Sequence, residues 1–205
     1  MRPILKISNL TQLQDARSSA AVGFDIISFS LERGSNRKLS ASMIWNMVNW
    51  LSGPEIALEL NEASIPELDQ VAEQMDYQVL TFPAAGFGLS LLGDRTAKKI
   101  ILRTDAPAPD AEIEAALEAL TGAGIQGIVE VSLENPQDAA NWTPLADQVL
   151  LHFPALGHLS LFVDNSDWAP LGFAIGQEAE EEPGTLDYEA IDDFIDAFEE
   201  RFPRD

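Results

Sequence analysis

A single α/β domain closing into an eight-stranded barrel is the fold class this sequence predicts, on three observations. Short apolar runs alternate with amphipathic stretches along all 205 residues. The apolar runs have the length and composition of strands buried on both faces, and the stretches between them have helical period. No linker, low-complexity tract or internal copy divides the chain, so residues 1–205 are expected to share one core, of a size that single cores reach.

Taken in order, strands are predicted at 4–8, 25–29, 56–60, 78–82, 99–103, 127–131, 159–163 and 172–175. Helical patterns fall at 13–22, 41–51, 65–75, 111–120, 144–151 and 188–198, the last with Ile191, Phe194, Ile195 and Phe198 on one face. Two crossovers look reduced. The connection 83–94 holds Gly86, Gly88 and Gly93, which disfavour a helix. The segment 164–171, with Trp168 and Pro170, is too short for a helical crossover. The expectation is a (β/α)8 TIM barrel with helix 7 and also helix 4 shortened or lost, an open doubly wound sheet being the competing architecture. Trp45 and Trp50, at helical spacing beside Ile44 and Val48, are expected in the core.

The charge balance excludes whole classes of partner. With 34 acidic against 12 basic residues the formal charge is -22, which repels nucleic-acid backbones and anionic membrane surfaces. No apolar run reaches a membrane span and no signal-peptide order opens the chain, so the cytoplasm is expected. Cysteine is absent, which removes disulfides, thiolate metal sites and thiol nucleophiles. His152 and His158 have no second histidine at ligand spacing and are expected in packing or surface roles, so neither metal nor cofactor is predicted. Oligomeric state is not legible.

Particular residues then suggest a family. Lys6-Ile7-Ser8-Asn9-Leu10-Thr11, Asp15-Ala16, Gly23-Phe24-Asp25 and Ser28-Phe29 are followed by the loop Ser35-Asn36-Arg37-Lys38-Leu39-Ser40. Near the other end stand Gly172-Phe173-Ala174-Ile175, Pro183-Gly184, Asp187 and Ile191. Together these resemble the opening, the second-strand loop and the closing strand, turn and helix of phosphoribosylanthranilate isomerase. Between about residues 80 and 170 only the order of elements corresponds.

The resemblance implies a site at the carboxyl ends of the strands, where an Amadori rearrangement uses a cysteine base and an aspartate acid. Ser8 occupies the place of the base, and an unassisted hydroxyl is too weak an acid to serve as one. Glu130 stands where the acid would be, either as a longer replacement or as a group that merely solvates the strand end. Arg37 matches the arginine associated with the anthranilate end of the substrate, although a loop arginine beside Lys38 and Arg33 also reads as a solvated charge.

The phosphate grip is altered throughout. The resemblance implies glycine-rich loops after strands six, seven and eight. This chain has a glycine-free 134–140, then Val163-Asp164-Asn165 and Gly176-Gln177-Glu178. Asp164 and Glu178 are thus expected on the strand-end face, where their charge opposes an anion. The leading expectation is an isomerase-like barrel that has lost the parent reaction and serves as a binding or regulatory protein, its partner an unspecified small molecule or protein at that face. The alternatives are a working isomerase with a rebuilt site, or an enzyme acting on a non-phosphorylated substrate.

Overall fold

The computed structural model describes residues 2–95, 97–153, 156–165, 169–176, 180–182 and 185–203. Its centre is a closed barrel of β1 (Ile4–Ile7), β2 (Ile26–Ser30), β3 (Glu55–Glu59), β4 (Val79–Pro83), β5 (Lys99–Thr104), β6 (Gln126–Ser132), β7 (Val149–His152) and β8 (Gly172–Ile175). Every neighbouring pair is parallel, including β8 on β1. A further antiparallel pair, β9 (Glu180–Glu182) and β10 (Thr185–Leu186), follows the barrel.

Alternation along each strand divides the side chains between two cores. Leu5, Ile7, Ile27, Phe29, Leu58, Leu80, Phe82, Leu102, Val129 and Leu151 belong to the core shared with the surrounding helices. Ile26, Ala57, Val79, Ile101, Ile128, Leu150 and Ala174 form a second, separate cluster inside the barrel. Each of the Val, Ile, Leu and Phe side chains contributes ~1.5–3 kcal/mol by leaving water, and the alanines less, so the closed topology rests on apolar burial on both faces of the sheet.

Among the described residues six α-helices pack outside: α1 (Leu13–Val22), α2 (Ala41–Val48), α3 (Ile65–Ala72), α4 (Ala111–Gly122), α5 (Leu156–Asn165) and α6 (Tyr188–Arg201). Their starts follow local capping chemistry. The Asp110 carboxylate accepts from the backbone N–H groups of Glu112 and Ile113, and Asp187 accepts from Ala190. The apolar face of α6 is buried as its spacing predicts, at Ile191, Phe194, Ile195 and Phe198. Tyr188 ties α6 to α1 by donating its hydroxyl to the buried Asp15 at 2.5 Å.

Barrel closure and a reduced set of helices match the expectation, and the fourth crossover is indeed cut to a three-residue 3-10 turn, Leu89–Leu91. The last third requires a correction. The segment 159–163, expected as the seventh strand, lies in α5, so the seventh crossover keeps a ten-residue helix. The strand slot is taken by Val149–His152, within and just beyond the stretch 144–151 that was expected to be helical. A 3-10 segment, Pro136–Gln148, interrupted at Leu145 and containing Pro144, precedes it and serves as the sixth crossover. The decisive pattern is the spacing Leu156, Leu159, Phe162, all of which meet the helix-side core, with the Phe162 ring 5.8 Å from Phe153 and 6.0 Å from Phe173. Spacing by three outweighs the strand propensity of Leu-Phe-Val.

The tryptophans also depart from expectation. Ile44 and Met47 occupy the buried side of α2, which leaves Trp45 on its outer flank at 38% exposure and Trp50, beyond its end, at 68%.

Candidate functional site

Within the barrel the inward positions change character two residues further along each strand. Beyond the apolar cluster stand Lys6, Ser28, Glu59, Thr81, Arg103, Glu130 and His152, all on the side of the strand carboxyl ends. The placement is forced by alternation: a side chain two residues after an inward Ile or Ala faces inward too. Above this layer a cavity of about 680 Å³ opens, lined by Ser8, Asn9, Glu59, Arg103, Glu130 and His152 with Pro83, Ala85 and several rim residues.

Lys6 is the centre of the layer. Its side chain is wholly buried, and its Nζ lies 2.8 Å from Glu130 Oε2 and 3.4 Å from Glu59 Oε1 while also donating to Ser8 Oγ. Burial by itself would lower the lysine pKa; the Glu130 carboxylate, then that of Glu59, outweighs burial and raises it. Lys6 therefore keeps its proton at neutral pH. Glu59 is equally buried, and burial would raise its pKa, but Lys6 and Arg103 together hold it below the ordinary carboxylate range. Arg103 reaches Glu59 Oε2 at 2.9 Å with one terminal nitrogen and Glu32 with the other. The result is one connected row, Glu130, Lys6, Glu59, Arg103, Glu32.

The backbone around this row is shaped to suit it. Ser28 donates its hydroxyl to Glu59 and accepts from the Asn9 backbone N–H at 3.1 Å. Asn9 is the one non-glycine residue with positive φ among those described, at 60°, a conformation asparagine tolerates better than most. It turns the chain out of β1 at the cavity wall. On the opposite wall, His152 Nδ1 and Ser132 Oγ share a hydrogen bond of 3.0 Å between neighbouring strands.

The expected site residues are distributed unequally. Ser8 and Glu130 meet at this cavity through Lys6. Arg37 does not join them: it is largely buried in the loop after β2, its backbone N–H held by Ser35 Oγ, and it is not among the cavity-lining residues. Asp164 is misplaced by the strand correction. It sits in the last turn of α5, which runs back from the strand carboxyl ends, so its backbone lies toward the opposite rim. Its side chain, and Glu178 entirely, lie outside the described residues. His152, expected in packing or on the surface, lines the cavity instead, because Val149–His152 is a strand.

Lys6, Glu59 and Arg103 were not singled out from the sequence. The signal was there: each is a charged residue inside an apolar strand run, in Ile4-Leu5-Lys6-Ile7, Ala57-Leu58-Glu59-Leu60 and Ile101-Leu102-Arg103. Charges so placed are rarely tolerated unless paired.

No family model matches the chain, and no curated protein matches it in sequence. Solved structures do match in shape. A phosphoribosylanthranilate isomerase in complex with reduced 1-(o-carboxyphenylamino)-1-deoxyribulose 5-phosphate aligns with a TM-score of 0.76 at 16% identity, over 97% of this chain and 99% of that one. The isomerase of Thermotoga maritima aligns at 0.74 and 17% identity, covering 97% and 99% of the two chains. That of Thermus thermophilus aligns at 0.72 and 19%, covering 98% and 99%. The chain therefore has, from end to end, the barrel fold of the phosphoribosylanthranilate isomerases.

Proposed function

We propose that this barrel holds a small molecule in its carboxyl-end cavity, as a binding or regulatory protein of the cytoplasm, and does not isomerise phosphoribosylanthranilate. One observation carries the reading: a single protonated lysine engages both positions where the resemblance would put the chemistry. Lys6 donates to Ser8 and forms an ion pair with Glu130. A lysine that keeps its proton cannot take one from Ser8, so the hydroxyl has no local base to make it one. One oxygen of Glu130 is already committed to this ammonium group, which opposes its use as a proton donor. The sequence adds that the residues following β6 and β7, Leu133-Glu134-Asn135 and Phe153-Pro154-Ala155, contain no glycine, and that after β8 the single Gly176 is followed by Gln177 and Glu178.

The test is direct. Purified protein incubated with phosphoribosylanthranilate is expected to give no turnover above background, and the gene is expected not to restore growth to a tryptophan auxotroph lacking the isomerase. Growth, or turnover abolished by Glu130→Gln, would move a rebuilt but working isomerase ahead of this proposal.

A second reading, an enzyme acting on a non-phosphorylated substrate, is favoured by the Ser132–His152 pair, since an imidazole hydrogen-bonded to a hydroxyl at a cavity wall is arranged to move a proton. It requires that Ser132→Ala remove turnover while binding persists, weakened by no more than one neutral hydrogen bond, ~0.5–1.5 kcal/mol.

A further inference from the structure

From the order of charges in the cavity floor we propose that the ligand carries a protonated amine, seated against Glu130 with Asp105 at the rim. This rests on the reading of the cavity as a small-molecule site and specifies what enters it.

The argument begins with what is already committed. Lys6 lies between Glu130 and Glu59, and Arg103 between Glu59 and Glu32, so each cation in the row already has two carboxylates. The row holds three carboxylates and two cations, and a carboxylate stands at each end. An arriving anion meets no cation in this row that lacks carboxylates, and would have to pull one away from partners held in place by the barrel. An arriving cation meets a site with negative charge in excess.

Glu130 is the group best placed to receive it. Its side chain is nine-tenths buried and lines the cavity; Oε2 is sealed against Lys6 at 2.8 Å, and the other carboxylate oxygen has no partner among the described residues. A carboxylate oxygen so left retains acceptor capacity, and an ammonium group offers three donors. Asp105 is exposed at the rim of the same cavity and adds a second carboxylate along the entry path. Asn9, Thr104, Ser132 and His152 supply neutral polar contacts, while Pro83 and Ala85 form an apolar wall for the body of the ligand. The site therefore suits a small organic amine with an apolar body.

Three probes of one shape and different charge test this: benzylamine, benzyl alcohol and benzoate, titrated calorimetrically into the intact chain at low and at moderate salt. Benzylamine is expected to bind about tenfold more tightly than benzyl alcohol, the equivalent of one charge-assisted contact. Benzoate is expected to bind more weakly than either. Glu130→Gln is expected to remove the preference for the amine. Because that change also leaves Lys6 with one carboxylate fewer, Asp105→Asn, at an exposed position, serves as the second variant and is expected to lower amine affinity about twofold to threefold with the fold unchanged. Benzoate binding as tightly as benzylamine, or an amine preference intact in both variants, overturns the assignment while leaving the cavity as a binding site. Silence from all three probes overturns it as well, and isomerase turnover in the separate assay is what would overturn the binding-protein reading itself.

Discussion

Two layers of the barrel interior, one two residues beyond the other on the same strands, differ almost completely in chemistry. In passing from Ala57 to Glu59, Ile101 to Arg103, Ile128 to Glu130 and Leu150 to His152, the lining goes from aliphatic to charged or polar. Backbone geometry and neighbours are shared, so the fold does not require the second layer to be polar. A row of buried ions is poor value as stability, because replacing it with well-packed apolar groups is often neutral or favourable. Thr81 Oγ1, at the same level, is buried without any hydrogen-bond partner. The lower layer explains why the barrel forms, and the upper layer is where the proposal places a ligand.

The largest expected effect is in the upper layer. Lys6→Met leaves Glu59 and Glu130 without their shared cation and is expected to cost ~3–5 kcal/mol in urea unfolding. The double variant Lys6→Met with Glu130→Leu is expected to recover part of that loss; additive costs would mean the two residues do not form the pair described. In the lower layer, Ile128→Ala opens a cavity and is expected to cost ~2–5 kcal/mol while leaving amine affinity unchanged, so a change in that affinity would erase the distinction between the layers.

Acid and alkali should act on the upper layer first. Glu59 has a pKa held below its ordinary 4.5. Its contribution is present above that value and is lost as pH falls through the lowered one. Lys6 is raised above 10.5, so its contribution is present below that value and is lost as pH rises through the raised one. A plateau of stability between these limits is expected, and a loss of stability on passing from pH 8 to pH 6 would contradict the pairing. Smaller still is the surface contrast. Arg33 and Lys38 both pair with Glu67 and hold its pKa down to about 2, yet solvent screening limits such pairs, and Glu67→Gln is expected to cost only ~0–1 kcal/mol. Inorganic phosphate, finally, is expected to show no binding tighter than ~1 mM by calorimetry, and a tighter value would restore the case for a phosphorylated ligand.

How much of this the sequence discloses depends on how each element is encoded. The first six strands are apolar runs bounded by turns, and their positions follow from pattern alone. The seventh is not so marked: Val149–His152 is four residues long, abuts an irregular segment, and competes with the more strand-like Leu159-Ser160-Leu161-Phe162-Val163 just after it. Misplacing that one strand moved Asp164 to the wrong rim and hid His152. Ser8 is legible through its motif, and Glu130 through its place in the sixth strand run. The lysine that joins them was not, because pairing between Lys6 in β1, Glu59 in β3 and Glu130 in β6 exists only once the barrel has closed.

Closure itself rests on a small feature, the glycine that opens β8. At Gly172 a Cβ would run into the carbonyl oxygen of Ile4, so the last strand can lie against the first only because the side chain is absent. The seam joins residues from opposite ends of the chain, the least local contact in the barrel, and contacts of that kind form late in folding. During synthesis β1 therefore waits with one edge unpaired, exposed to any strand nearby, until β8 has been made. A bulkier residue at 172 would push the two strands apart at the seam, and its cost is expected to appear as aggregation during expression as well as in a lower melting temperature.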